Sequence, residues 1–255
     1  MNFAGKIVLI TGASSGIGAA TAVKFAKYAA CLALNGRNVE NLNKVAEQCK
    51  AAGAAPALVV GDISKEADTE RVWCETMQQY GKLDVLVNNA GIMESGSIEN
   101  TCLEQYDRVM NTNLRAIYHL TMLATPELLK TKGNIVNVSS VNGIRSFPGL
   151  LAYNISKMGL DQLTRCVALE LGPKGVRINS VNPGVIVTDL HKRSGMDEAE
   201  YQKFLERSKT THALGRSGTS EEVANAITFL ASDLASFTTG LSLSVDGGRH
   251  AMCPR

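Results

Sequence analysis

The chain has 255 residues, 45% hydrophobic and 20% charged, with a net charge of +2. That balance suits one large globular domain with a sizeable core. It lacks the basic bias of a nucleic-acid or membrane-surface binder, so neither partner is expected.

The first apolar run, "IVLI", is too short for a signal-peptide core, and no later stretch approaches the ~18 residues of a membrane span. Short apolar runs at 6–10, 31–35, 56–60, 83–87, 134–139, 176–181 and 241–245 read as strands buried on both faces. Between them the segments 16–28, 39–52, 65–80, 102–130, 151–171 and 220–232 have helical patterning. Ser64 and Ser220 stand before acidic residues, as N-caps do. Gly53, Gly81 and Gly172 fall where helices should stop. Strand and helix alternate from the start, which implies parallel pairing through right-handed crossovers. The fold class is therefore α/β: residues 1–255 form a single Rossmann-like domain, a doubly wound parallel sheet of about seven strands with helices on both faces. The one break is 185–219, too polar for core, and within it 189–216 is a candidate lid.

The six cysteines (31, 49, 74, 102, 166 and 253) are scattered with no C-x-x-C pair. They read as free thiols in a reducing, cytoplasmic compartment, with Cys31 and Cys166 as small core residues. The sequons at Asn137 and Asn154 read as chance matches. No carboxylate or His/Cys cluster has metal-ligand spacing, so no metal is expected.

Strand one leads into "TGASSGIGAA", with Gly12, Gly16 and Gly18 immediately before a helix. A turn without side chains lets backbone N–H groups and a helix N-terminus approach a pyrophosphate. Strand two ends "LALNGRN". Where an acidic residue would hold the ribose hydroxyls of NAD, Arg37 stands instead. No carboxylate at that tip repels a phosphate, and a guanidinium can grip one bidentately. This favours NADP(H) over NAD(H), unless Arg37 is only a solvated loop residue.

"TGASSGIG", "NNAG" (88–91), "NTNL" (111–114), "NVSS" (137–140), "YNISK" (153–157) and "NPGVIVT" (182–188) follow in order. On these motifs, from Lys6 to about Gly248, the chain resembles the short-chain dehydrogenase/reductase family. The resemblance implies an oxidoreductase that interconverts a ketone and a secondary alcohol, a small-molecule substrate, and a homotetramer. The tetramer would pack through 102–130 with 151–171, and through the last helix with "LSLSVDGG". The resemblance also implies a catalytic set. Tyr153 would be the general acid/base and Lys157 its partner, also holding the nicotinamide ribose. Ser140, with Ser139 as the competing choice, would bind the carbonyl, and Asn113 would hold a water that passes protons. Implied cofactor contacts are Gly12, Ser14, Ser15, Gly16, Ile17, Gly18, Arg37, Asp62, Ile63, Asn89, Ala90, Gly91, Tyr153, Lys157, Pro183, Gly184, Ile186 and Thr188. Of these, Asn89 could instead tie strands together, and Thr188 could cap the following segment.

Residues 153 and 157 share a helix face. A nearby cation lowers a tyrosine pKa, and moving ~10 towards ~7 needs ~4 kcal/mol. Taken alone, such a pair is usually a surface contact. The substrate wall is expected from 93–97, 141–151 and the lid, around a mid-sized, largely apolar carbonyl (steroid-like, 3-oxoacyl or xenobiotic). His191 and His212 read as solvated lid residues. The alternative reading is a catalytically silent nucleotide-binding scaffold of the same fold.

Overall fold

A computed structural model describes residues 1–253, apart from the side chains of His191 and Lys192. The strands are β1 (Ile7–Ile10), β2 (Cys31–Gly36), β3 (Ala57–Val60), β4 (Val85–Asn88), β5 (Asn134–Val138), β6 (Arg177–Pro183) and β7 (Ser242–Val245). They form one sheet in the order β3-β2-β1-β4-β5-β6-β7, and every pairing is parallel. The order reverses direction beside β1. A crevice therefore opens beyond the carboxyl ends of β1 and β4, where open α/β sheets bind ligands.

Side chains along each strand alternate between the two faces. Val8 and Ile10 pack with Phe25 of α1 (Gly16–Lys27), Leu42 of α2 (Val39–Ala51), and Val223 and Ile227 of α9 (Ser220–Ala231). Ile7 and Leu9 face the opposite core. There they meet Val72 of α3 (Glu66–Tyr80), Leu120 and Leu128 of α5 (Ala116–Thr131), and Leu171 of α6 (Leu151–Leu171). Apolar runs with no polar alternation are what a sheet covered on both sides requires.

The structure departs from the sequence reading at several local points. The stretch 102–130 is not one helix: α4 (Leu103–Met110) passes through a π-helical turn, Asn111–Arg115, into α5. The cap of α9 is Thr219, which makes a reciprocal capping box with Glu222, so Ser220 is already helical. Ser64 does not cap α3 either; its hydroxyl donates to Asp62 Oδ1 at 2.8 Å. Gly81 ends α3 in the left-handed region, at φ 69°. Gly172, at φ −54°, instead leads into a 3-10 turn that stops at Gly175. Cys31 and Cys166 are exposed, and Cys49 is the buried thiol; burial pushes it up to about 11. The lid is helical, with α7 (Leu190–Arg193) and α8 (Glu198–Thr211), the latter opened by an Asp197–Glu200 capping box. No helix among the described residues is long and apolar enough to cross a membrane.

Candidate active site

A cleft of about 600 Å³ runs along the crevice, from the glycine turn after β1 to Tyr153 and Lys157. Steric limits shape its floor. A Cβ on Gly18 would stand 2.5 Å from Asn89 Nδ2 and closer still to the Gly12 carbonyl oxygen. Gly12 adopts φ +63°, and a Cβ there would meet Ala90 Cα at 2.8 Å. Asn89 Nδ2 donates to the carbonyls of Thr11 (2.9 Å) and Gly12 (3.0 Å). Asn89 thus ties β4 to the glycine turn and also lines the cleft. Ser15 is the N-cap of α1, but its side chain caps no helix N–H, and the first turn holds no acidic residue. A bare helix N-terminus at the end of a side-chain-free turn suits the pyrophosphate of a dinucleotide.

At the tip of β2, Arg37 and Asp62 meet, with Nη1 3.4 Å from Oδ2. The expectation that no carboxylate stands at this tip is therefore incorrect. Parallel pairing of β2 with β3 sets Gly36 against Val60, which brings together two residues far apart in the chain. Burial pushes the Asp62 carboxyl up, but bonds from Ser64 and the charge of Arg37 bring it below its usual value. The Arg37 side chain remains 67% exposed, so its guanidinium is open to a ligand.

The opposite end is built on α6. Tyr153, Lys157 and Asp161 recur every fourth residue on one face, and all three are buried. Lys157 Nζ donates to the Val138 carbonyl at 2.9 Å and lies 5.7 Å from the centre of the Tyr153 ring. Ser140 Oγ donates to Asn142 Oδ1 at 3.1 Å, and the Ser140 side chain also has a lowering effect on the Tyr153 phenol. Ser139 instead donates to the Lys157 carbonyl at 3.2 Å. Asn113 is fully buried in the π turn. Its Oδ1 accepts from Ile92 N at 2.8 Å, while Nδ2 donates to Ile92 O and Ser156 Oγ. The side chain is thus committed to the backbone beside the cleft, and π turns recur at functional sites.

The electrostatics reverse one expectation. Burial pushes the Tyr153 phenol up to about 12, against the lowering effect of the Ser140 side chain. Burial also pushes the Lys157 ammonium down to about 8, with Asp161 pulling the other way. The sequence argument counted the attraction of cation for phenolate and omitted the desolvation of both groups. It also missed Asp161, whose carboxyl burial raises while Asn182, Ser139, Ser180 and Lys157 oppose the rise. Its oxygens accept from Ser180 Oγ (3.0 Å) and Asn182 Nδ2 (2.7 Å). Its place four residues beyond Lys157 was the available signal.

Pro183, Gly184, Ile186 and Thr188 line the cleft between these ends. Thr188 Oγ1 accepts from Leu190 N at 3.4 Å, so it also caps α7. His212 is not a solvated lid residue; it is 2% exposed. Its Nε2 accepts from Val185 N at 3.2 Å and its Nδ1 sits 3.1 Å from the Ser208 carbonyl. This pins the end of α8 to the loop carrying Ile186 and Thr188. Burial holds the ring's pKa below the usual histidine value. The His191 side chain lies outside the described residues. A second hollow of about 410 Å³ lies between Ser95 and the lid, lined by Ser194, Met196, Glu200 and Lys203 among others.

The fold also assembles a cluster that sequence spacing did not show. Glu66 and Glu70 of α3 and His119 of α5 bring ligand atoms within 4.8 Å of one another. It lies outside the cleft, and Arg115 holds Glu66 at 2.8 Å.

The family described as Enoyl-(Acyl carrier protein) reductase matches residues 12–250. A glucose 1-dehydrogenase of Gluconobacter oxydans is 41% identical, over 96% of this chain and 92% of its own length. A 3-oxoacyl-acyl-carrier-protein reductase of Thermotoga maritima is 38% identical, over 97% and 99% respectively. Among solved structures, levodione reductase superposes with a TM-score of 0.94 at 32% identity, covering 99% of this chain and 100% of its own. A Caenorhabditis elegans short-chain dehydrogenase/reductase of unknown function, determined with cofactor, gives 0.93 at 36% identity, covering 98% and 97%. The chain belongs to the short-chain dehydrogenase/reductase family. Its homologues are oxidoreductases acting on carbonyl and alcohol groups, and the family binds a nicotinamide cofactor.

Proposed function

We propose that this protein is an NADP(H)-dependent oxidoreductase interconverting a ketone and a secondary alcohol. One observation carries the reading: Tyr153, Lys157 and Ser140 converge at one end of a cleft whose other end is a helix N-terminus behind a glycine turn. The steric cradle at Gly12 and Gly18 fits a pyrophosphate, and the exposed Arg37 fits a 2′-phosphate. Bound there, the cofactor supplies or accepts the hydride.

In reduction, Ser140 donates a hydrogen bond to the substrate oxygen, and Tyr153 gives its proton to the oxygen as charge develops. A phenol at about 12 is suited to this step. An alkoxide is roughly as basic as hydroxide, whose conjugate acid titrates near ~15.7, so the transfer runs downhill by several units. Lys157 then stabilises the phenolate until Tyr153 regains a proton. Asn113 holds the Ile92 segment against the cleft, and its proposed role is to hold a water that passes protons to Lys157. Oxidation needs the phenolate first, so it should run faster as pH rises.

Phe147, Leu150 and Leu151 of the 141–151 wall are half-buried apolar side chains, while the lid adds Glu200 and Lys203. This supports a mid-sized, largely apolar carbonyl substrate that carries a polar end. Exposed Tyr118, Met122, Ile155 and Met158 on α5 and α6, and Phe229, Leu234 and Phe237 beyond them, support a homotetramer. A cytoplasmic setting is consistent with the free thiols.

The test is NADPH absorbance at 340 nm across a panel of ketones and alcohols, with Tyr153→Phe alongside. Turnover by the wild type that disappears in Y153F, with cofactor affinity kept, is the expected result. Tight NADPH binding without turnover of any carbonyl would leave a nucleotide-binding scaffold.

A further inference from the structure

Arg193, the last residue of α7, crosses the mouth of the cleft. Its Nη2 donates to Ser15 Oγ at 2.9 Å, joining the lid to the glycine turn across 178 residues of chain. Its Nε reaches only the Asp189 carbonyl, at 3.4 Å. No carboxylate pairs with it among the described residues, whereas most exposed arginines of this chain do have one: Arg71, Arg108, Arg115 and Arg216 each hold a Glu or Asp. The residue it touches is the cap of α1, whose hydroxyl leaves the first-turn N–H groups uncapped. Arg193 and Ser15 line the same cleft as Gly12 and Gly16. An unneutralised guanidinium and a bare helix N-terminus thus face one small volume, and both favour an anion there.

We propose that Arg193 is a cofactor-binding latch: its guanidinium takes the pyrophosphate of the bound dinucleotide and so holds the lid closed over the cleft. This rests on the nicotinamide-dinucleotide reading above. The pyrophosphate is common to NADPH, NADH and ADP-ribose, so the latch is indifferent to the 2′-phosphate that Arg37 is proposed to meet. Closure by this contact couples cofactor occupancy to the order of α7 and α8, which wall the substrate side.

The experiment measures dissociation constants of NADPH, NADH and ADP-ribose by isothermal titration for the wild type, Arg193→Ala, Arg193→Lys and Arg37→Ala. Thermal unfolding serves as a check that the variants are folded. A lost charge-assisted contact corresponds to roughly a ten- to hundredfold change in affinity. R193A should weaken all three ligands to a similar degree within that range, and R193K less. R37A should weaken NADPH selectively. Limited proteolysis adds a second readout. Saturating NADPH should protect the 190–216 segment in the wild type and much less in R193A. Affinities within about twofold of wild type for all three ligands, or equal protection of the lid in R193A, would overturn the latch. A wild-type protein that binds none of the three would instead overturn the cofactor reading.

Discussion

Lys157 is a charged group whose burial is unfavourable, and that cost can be measured without substrate or cofactor. The residue is 4% exposed, its ammonium donates to Val138 O, and burial pushes it down to about 8 against 10.5 for the free side chain. Between those values the unfolded chain carries a proton at this position that the native protein lacks. The sign follows from linkage: where the unfolded state binds more protons, stability rises with pH. From pH 8 to 10 the gain is about 1.4 kcal/mol per unit, close to 3 kcal/mol in all. Tyr153, at about 12 in the fold, enters only above ~10, where the unfolded phenol ionises and stability falls. Cys49, at about 11 in the fold, opposes the gain once the unfolded thiol ionises above ~8.5, so the lysine is read from the difference between wild type and a variant that lacks it. Lys157→Met keeps the stem volume and removes the charge. At pH 7 it should be more stable by about 2 kcal/mol, taking the relieved desolvation of about 3 less about 1 for the lost bond to Val138. It should also be inactive. Urea denaturation of both cofactor-free proteins from pH 7 to 10 reads the difference, because every other titrating group is shared. Equal pH slopes in wild type and K157M, or a variant less stable at pH 7, would refute the assignment of a desolvated ammonium.

Three other perturbations test separate parts of the site. Gly18→Ala forces a Cβ against Asn89 Nδ2 and the Gly12 carbonyl, neither of which can yield without moving β1 or β4. A loss of roughly 1–3 kcal/mol in thermal stability is expected, with weaker dinucleotide binding; an unchanged Tm and Kd would mean that the turn has slack. His212→Phe removes the acceptor for the buried Val185 N–H. It should cost about 1–3 kcal/mol and raise KM more than it lowers kcat, whereas His212→Gln should recover much of the loss. The depressed pKa of His212, set by burial with Arg249 opposing and Asp246 favouring the protonated ring, implies that wild-type stability declines as pH falls below ~6.5. The decline should be smaller in H212Q, and parallel acid limbs in denaturation would sink that account.

The fold was legible because a sheet covered on both faces writes itself as uninterrupted apolar runs. All seven runs became strands, with ends shifted by at most two residues. Caps were less legible: "TS" before "EE" offers two hydroxyls, and the choice of Thr219 depended on which one a Glu three residues later could answer. The π turn at Asn111–Arg115 was invisible because its cause is tertiary. Asn113 turns inward to bond the backbone of Ile92, and the helix absorbs an extra residue to allow it. The same distinction separates the site's membership from its physics. Ser140, Tyr153 and Lys157 could be named from order and spacing, and the fold does bring them together. Their titration could not be named, because spacing reports the distance between two charges and says nothing of the water removed from around them. For a buried phenol and ammonium that removal is the larger effect. It also gives Asp161 a meaning that its position alone did not. Ser180 and Asn182 donate to a carboxylate one turn beyond the lysine, where it supplies part of the stabilisation that an ammonium loses on leaving solvent. Tyr153 and Lys157 are thus the first two members of a buried line of three along α6 that Asp161 completes.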